Sequence, residues 1–183
     1  PGKNWKTMNF PPFDLYRLLE TVFKPAQGEK IGILIDLEDP TGVKDWAFLH
    51  EEGNSIQKMG YEHFYKGLHG GVMERLGLTG GELFCYKMTK GSNLDLEDEA
   101  YAPDGRVLSF EKDIYPHYDI LLCISTNSAT APLTASAKVH NFRGATMHGL
   151  NEIILNSGLS VDYNEVSKRA ERLRQGMSNA DAI

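Results

Sequence analysis

Two short runs of apolar and β-branched residues constrain the fold of this chain more than any other feature. IGILIDL covers residues 31–37, and YDILLCIS covers residues 118–125. A strand that is buried on both faces of a sheet has such a nearly continuous apolar sequence, whereas a strand with one wet face alternates apolar and polar residues. Both runs therefore predict central strands of a parallel sheet.

Helical patterns separate these runs and continue after them. Apolar side chains recur at helical spacing in residues 13–23, from Asp45 to Ile56, in residues 61–76 and in the alanine-rich stretch TAPLTASAKVHN. Parallel neighbours need a crossover connection, which a helix usually supplies. The sequence predicts an α/β fold of three layers, in which helices cover both faces of a mainly parallel sheet.

The other strands are shorter and less apolar. Residues 81–88 and 142–147 each predict one strand, and the polar excursion over residues 89–117 contains YAPDGRVLSF, which predicts a turn followed by a short strand. We expect this excursion to lie at an edge of the sheet.

A short helix within HGLNEIILNSGL and a capped amphipathic helix end the predicted fold. In VDYNEVSKRAERLRQGM, Asp162 stands at the N-cap position and Glu165 stands three residues later, as in a capping box. The predicted buried stripe of this helix consists of Val166, Ala170 and Leu173.

The charge balance argues against two classes of partner. The net charge is −6, and the densest charge run, Asp95 with residues 97–99, is acidic. A nucleic-acid-binding protein needs a basic stripe that displaces counterions from phosphates. No apolar run approaches the roughly 20 residues that cross a bilayer, so we expect neither nucleic acid nor membrane as a partner.

The two cysteines indicate a reducing compartment. Cys85 and Cys123 both lie inside apolar runs, where a thiol is usually a small buried side chain. Two cysteines are too few for a disulfide framework or a closed zinc site. We therefore expect a cytoplasmic protein.

One polar group follows a predicted buried strand. Thr126, Asn127 and Ser128 stand between the strand at 118–125 and the alanine-rich helix, and His148 ends the next strand. Ligands of open α/β sheets bind at the carboxyl ends of strands, where free N–H groups of a helix favour anions. We interpret these four residues as substrate-facing, although helix capping by Asn127 or Ser128 is the commoner role of such residues.

No catalytic residue is predicted. The six histidines form no HExxH pair, the glycines form no phosphate-binding pattern, and no Ser-His-Asp or Cys-His arrangement is present. The acidic run at 95–99 lacks the pattern of a calcium loop and is more often a solvated face. The residues alone predict neither a reaction nor a metal site.

The last 65 or so residues resemble the first domain of the thermophilic metallo-aminopeptidases of the aminopeptidase T type, and residues 31–37 match that domain loosely. The features that carry the resemblance are, in order, YDILLCIS, the helix around Ala135, Arg143 with Gly144, His148 with Gly149, and Asp162 with Tyr163. Two departures are His148, where the family often has proline, and a longer stretch over residues 89–117.

This resemblance implies the non-catalytic N-terminal α/β domain of a metal-dependent aminopeptidase-like hydrolase. Such an enzyme removes N-terminal residues with two divalent cations, which its second domain holds, and its first domain helps to enclose the active site and to form a dimer. Residues 1–176 would form the α/β domain, and residues 177–183, including NADAI, would begin a missing second domain. The chain itself would bind no cofactor, and the whole enzyme would act on a peptide or a small molecule.

Two other functions remain open. One is a free-standing module that binds small ligands at the edge formed by residues 126–128. The other is the first domain of a related metal-dependent protein resembling ring-opening dioxygenases.

Overall fold

The computed structural model describes residues 11–178. They belong to two compact units, one of residues 25–151 and one that joins residues 11–24 to residues 152–178. The expected start of a further domain at residues 179–183 lies outside the described residues.

A six-stranded sheet forms the centre of the 25–151 unit. Its strands are β1 (Lys30–Leu37), β2 (Thr79–Lys87), β3 (Ala100–Tyr101), β4 (Val107–Leu108), β5 (Ile120–Ser125) and β6 (Arg143–His148). Their order across the sheet is β4-β3-β2-β1-β5-β6. Strands β2, β1, β5 and β6 are parallel, while β3 and β4 add an antiparallel edge. The predicted α/β fold with a mainly parallel sheet is confirmed.

Helical segments cover both faces of this sheet. On one face, Gly60 lies against Ile35 of β1 and Ile124 of β5, where an added Cβ would stand 3.4–3.5 Å from their side chains. On the other face, Phe84 and Cys123 belong to a buried cluster with Leu133 of helix α4 (Thr130–His140). The three predicted layers are therefore present.

One helical stretch connects β1 to β2. It consists of α2 (Ser55–Met59), two π-helical segments (Gly60–Tyr65 and Leu68–Val72) and α3 (Met73–Leu76). Gly71 has a φ of 112°, which kinks the stretch, and Gly77 ends it with a left-handed φ of 68°. The predicted helix at 61–76 and its end at Gly77 are confirmed, with π-helical turns that periodicity does not reveal.

The segment before this helix differs from the prediction. Pro40–His50 forms 3₁₀ turns instead of a regular helix from Asp45 onward. Asp45 and Trp46 have left-handed φ angles of 51° and 61°. The amide of Asp45 donates to the carbonyl of Pro103 at 2.8 Å, a contact distant in sequence that local periodicity cannot predict.

The polar excursion forms the predicted edge. Its antiparallel strands β3 and β4 follow β2, with Tyr101 paired to Cys85. Asp98 accepts from the Ser109 hydroxyl at 2.8 Å and from the Glu111 amide at 2.9 Å. These bonds lower the pKa of Asp98, the Glu111 amide most. At least this member of the acidic run has a structural role.

The other unit contains α1 (Leu15–Phe23), α5 (Glu152–Leu155), a 3₁₀ turn (Gly158–Ser160) and α6 (Tyr163–Ser178). The predicted cap of the last helix is confirmed, because Asp162 Oδ1 accepts from the amides of Asn164 and Glu165 at 3.0 and 3.2 Å. The Glu165 carboxylate instead accepts from Arg169 at 3.1 Å.

The predicted buried stripe of α6 is wrong. Val166, Ala170 and Leu173 are all exposed, with Val166 at 47% and Leu173 at 69%. Helical periodicity identifies an apolar face, but it does not supply an element that covers that face. None of the helices in the described part of the chain is long and apolar enough to cross a membrane.

Candidate functional site

The carboxyl ends of the parallel strands form one edge of the sheet. The chain runs outward from β1 to β2 on one side and from β5 to β6 on the other, so its direction reverses between β1 and β5. In open α/β sheets, ligands bind outside the strand ends at such a reversal. The candidate site is therefore built around the ends of these two central strands.

Asp36 at the end of β1 is fully buried and joins the two strand ends. Both of its carboxylate oxygens accept from the Thr126 amide at 2.9 Å. The side-chain amide of Gln57, itself buried, donates to Asp36 Oδ1 at 2.6 Å and to Thr126 Oγ1 at 2.9 Å. This network fixes the start of the connection from β5 to α4.

The burial of Asp36 changes its acidity. Desolvation raises the pKa of its carboxyl group above the ordinary value, while the bonds from Thr126 and Gln57 oppose that rise. A charged residue inside the otherwise apolar run 31–37 was a visible signal of this network, but the sequence prediction did not select it.

The three predicted polar residues after β5 all bond within the chain. The Thr126 hydroxyl lies 3.3 Å from Asp36 Oδ1, and Asn127 Nδ2 donates to the Thr89 carbonyl at 2.7 Å. Ser128 Oγ donates to Asn93 Oδ1 at 3.3 Å.

Asn93, which the sequence prediction did not select, also caps α4. Its Oδ1 accepts from the Ala131 amide at 3.0 Å, and its own amide donates to the Ser128 carbonyl at 2.6 Å. A helix N-terminus that receives a side-chain acceptor has fewer free N–H groups for an anion.

His148 stands at the same edge. It is exposed and pairs in register with Ser125 across β5 and β6. The structure thus brings Thr126, Asn127, Ser128 and His148 to one edge of the sheet, while their contact with a substrate stays a prediction.

A cleft of about 490 Å³, the carboxyl-edge cleft, opens beside this network. The lining residues are Leu37, Glu38, Asp39, Glu51, Glu52, Gly53, Asn54, Ile56, Gln57, Met88 and Thr126. Four of them are carboxylates, and this lining contains no lysine, arginine or histidine. The cleft therefore combines a negative rim with three apolar side chains.

Two of the rim carboxylates are held by hydrogen bonds. Asp39 Oδ1 accepts from the hydroxyl of Thr41 at 2.7 Å and from its amide at 3.0 Å, and these bonds lower the pKa of Asp39. Glu51 Oε2 accepts from Asn54 Nδ2 at 2.9 Å. Asp39 thus stays ionised at neutral pH.

The two thiols are buried, as predicted. Burial is the main cause that raises the pKa of Cys123 to about 11 and that of Cys85 further still. A thiol with so high a pKa supplies very little thiolate at neutral pH, so neither cysteine is suited to nucleophilic chemistry.

The metal centre that the resemblance implies belongs to a second domain and not to this chain. Over residues 11–178, no three or more His, Cys, Asp or Glu side chains are grouped so that they could hold a metal ion.

Comparisons with protein-family models, with curated proteins and with solved structures give no match.

Proposed function

We propose that the carboxyl-edge cleft binds the positively charged amino end of a small ligand without performing chemistry on it. The observation that carries this proposal is the cleft lining, which has four carboxylates and no basic side chain. Its position beside the reversal between β1 and β5 is the usual ligand position in this class of sheet.

The negative rim favours a cation through several weak attractions. All four carboxylate residues are exposed, and an exposed ion pair contributes only about 0.2–1 kcal/mol. Together, carboxylates that line one concave surface raise the local concentration of cations and speed their association. This attraction depends on ionic strength, because salt screens exposed charges.

The apolar part of the lining indicates which amines fit. Leu37, Ile56 and Met88 line the cleft together with the carboxylates. A ligand that carries an apolar side chain next to its ammonium group contacts both kinds of surface. The N-terminal residue of a peptide with an aliphatic side chain has this chemistry.

The same ligand chemistry supports a second, more specific proposal, in which this chain is the non-catalytic domain of a metal-dependent aminopeptidase-like hydrolase of the cytoplasm. Its support is the order of the segments that carry the resemblance, which form β5, α4, β6, α5 and α6 in succession. The metal ions would belong to another domain, and this chain would hold the amino end of the peptide. The two buried thiols agree with a reducing compartment.

Isothermal titration calorimetry with a matched pair of ligands tests the binding proposal. L-leucinamide carries the free ammonium group, whereas N-acetyl-L-leucinamide keeps the side chain and loses the charge. We expect saturable binding of the first compound at low salt and no detectable binding of the second. Binding of both compounds with equal affinity, or of neither, contradicts the proposal.

Charge-neutral variants assign that binding to the cleft. The double substitution Glu51→Gln and Glu52→Gln should weaken L-leucinamide binding about threefold to tenfold, whereas Glu74→Gln with Asp95→Asn changes the net charge equally outside the cleft and should not. Isoamylamine, which has no carbonyl group, separates the two proposals: a clear preference for L-leucinamide over this amine favours the peptidase-like function.

A further inference from the structure

A second cavity of the 25–151 unit, the aromatic cavity, is lined by other side chains. Its volume is about 250 Å³, and it lies beside the amino half of β2. Its lining includes three ring side chains (Trp46, Tyr65 and His69), here called the aromatic wall, and three charged side chains (Glu82, Asp104 and Arg106), here called the charged wall. None of these residues lines the carboxyl-edge cleft.

The aromatic wall is a packed set of rings. The ring centroids of Trp46 and Tyr65 are 4.8 Å apart, and those of Tyr65 and His69 are 4.5 Å apart. Tyr61 stacks on Tyr65 from outside the lining at 5.3 Å. Aromatic rings attract cations through the negative charge of their faces, and tryptophan does so most strongly.

The backbone holds Trp46 in this wall at a conformational cost. Asp45 and Trp46 are consecutive residues with positive φ angles, although neither is glycine. L-amino acids avoid this left-handed conformation. The bond from the Asp45 amide to the Pro103 carbonyl holds the turn beside the cavity, since Pro103 also belongs to the lining. Strained conformations of this kind occur at ligand-binding sites more often than elsewhere.

The charged wall contains an unsatisfied acceptor. The Glu82 side chain is 42% exposed as a whole, yet its Oε2 atom is buried and has no partner at hydrogen-bond geometry. The Tyr118 hydroxyl is a neighbour of this carboxylate, and its pKa is raised first by burial and then by Glu82. The nearest cation is Lys30, whose Nζ stands 3.7 Å from the other oxygen, Oε1. Among the described side chains that are not exposed, Glu82 Oε2 is the one buried nitrogen or oxygen atom without a hydrogen-bond partner.

The basic side chains of the lining do not supply that partner. Arg106 Nε donates to Asp104 Oδ2 at 2.7 Å, and the Arg106 amide donates to Asp104 Oδ1 at 3.0 Å. His69 Nε2 lies 3.1 Å from the Gly81 carbonyl. The negative charge of Glu82 also acts on the neighbouring hydroxyl of Tyr65, whose pKa is raised first by burial, then by Tyr61 and then by Glu82.

We propose that this cavity binds an alkylammonium group, whose N–H donates to the Glu82 carboxylate while its carbon chain packs on Trp46 and Tyr65. A buried carboxylate oxygen without a donor is costly, and a charged donor satisfies it with a strong hydrogen bond. The cavity accommodates a small head group, such as a primary amine on a short chain or at the end of a lysine side chain. This site is independent of the amino-end binding proposed for the carboxyl-edge cleft.

Tryptophan fluorescence offers a local test. The chain has two tryptophans, so the substitution Trp5→Phe leaves Trp46 as the only one. We expect n-propylammonium chloride to change the Trp46 emission saturably, whereas 1-propanol, which has a similar shape and no charge, should leave it unchanged. A change that never saturates, or an equal response to 1-propanol, overturns the proposal.

Variants identify the groups that make the contact. Glu82→Gln should weaken n-propylammonium binding by about tenfold, because the donor loses its charged acceptor. Glu74→Gln, an exposed change of equal charge, should have no effect. Tyr65→Leu keeps the carboxylate and removes one ring, and it should weaken binding about threefold even if Glu82→Gln does not fold. Unchanged binding in the folded variants overturns the proposal.

The two proposals fail independently. The double substitution Glu51→Gln and Glu52→Gln should weaken L-leucinamide binding about threefold to tenfold while it leaves the Trp46 response to n-propylammonium unchanged. Loss of both responses in that variant would place n-propylammonium in the carboxyl-edge cleft and overturn the proposal for the aromatic cavity.

Discussion

The carboxyl-edge cleft and the aromatic cavity differ in how their carboxylates are hydrogen-bonded. The cleft carries four exposed carboxylate residues above a buried network, in which Thr126 and Gln57 donate hydrogen bonds to Asp36. The cavity carries a buried carboxylate oxygen that has no donor, beside rings held by a left-handed turn. The buried carboxylate beside the cleft is hydrogen-bonded within the chain, whereas one buried carboxylate oxygen of the cavity is not.

Because of this difference, we expect the hydrogen-bonded network to contribute to stability and the unpaired oxygen to favour ligand binding. A polar network whose members are all paired makes the local structure rigid, whereas an unpaired buried acceptor lowers stability until a partner arrives. The exposed rim should respond to ionic strength, because the screening length falls from about 30 Å at 0.01 M to about 8 Å at 0.15 M salt. Binding in the cavity should be less sensitive to salt, since its carboxylate oxygen is buried.

Removal of the Asp36 carboxylate should have the largest effect on the fold. In Asp36→Ala, the Thr126 amide and the buried Gln57 side chain lose their shared acceptor. Leaving buried donors unsatisfied costs about 1–3 kcal/mol, so we expect the free energy of unfolding to fall by about 2–3 kcal/mol. Urea denaturation followed by circular dichroism measures this change.

An exposed aspartate provides the control for that change. Asp95→Ala removes a carboxylate from an exposed position, and the free energy of unfolding should stay within about 0.5 kcal/mol of the parent value. Equal effects of the two substitutions would contradict the importance of the Asp36 network and would remove the contrast between the two regions.

The strands and the helices could be predicted from sequence because both leave a local pattern. The runs at 31–37 and 118–125 predict central parallel strands, and the structure places β1 and β5 next to each other in the middle of the sheet. Gly77 and Asp162 end or begin helices as their chemistry indicates. These features depend on residues that are neighbours in the chain.

The candidate sites depend on distant residues, and the sequence predicts them only in part. The edge with residues 126–128 and His148 follows from strand direction alone, whereas the bond between Asn93 and the start of α4 joins residues 38 positions apart. The position of Trp46 depends on the Asp45 contact with Pro103. The apolar stripe of α6 shows the same limit, since its periodicity is helical while its burial depends on other elements.

The pH dependence of stability shows whether burial or hydrogen bonding has the larger effect on the pKa of Asp36. Burial raises the pKa of this carboxyl group above its ordinary value of 3.8, so the folded protein binds the proton more tightly than the unfolded chain does. As pH falls through the folded pKa towards 3.8, the parent protein should gain stability relative to Asp36→Asn, which does not titrate. Above the folded pKa the difference should be constant.

Urea denaturation of both proteins over a series of pH values gives this difference. The other carboxylates titrate alike in the two proteins, so they cancel in the subtraction. If the parent protein instead loses stability relative to Asp36→Asn as pH falls, the hydrogen bonds from Thr126 and Gln57 outweigh burial, and the pKa is lowered.

The left-handed turn beside the aromatic cavity should produce the smallest change, of opposite sign. Asp45 has a φ of 51° and a ψ of 24°, a conformation that costs an ordinary L-residue about 1–2 kcal/mol, less for aspartate, and glycine almost nothing. Glycine relieves this strain in the folded state, but part of the resulting gain in stability is lost because glycine makes the unfolded chain more flexible. We expect Asp45→Gly to raise the free energy of unfolding by about 0.5–1 kcal/mol.

Lys44 supplies a matched control one residue earlier in the same turn. Its φ of −56° and ψ of 132° suit any L-residue, so Lys44→Gly should lower the free energy of unfolding by about 0.5–1 kcal/mol. Opposite signs for the two glycine substitutions, measured by thermal and urea denaturation, would establish strain at Asp45 beside the aromatic wall. If both substitutions destabilise the protein equally, the turn is relaxed, and the unpaired Glu82 oxygen alone distinguishes the cavity from the cleft.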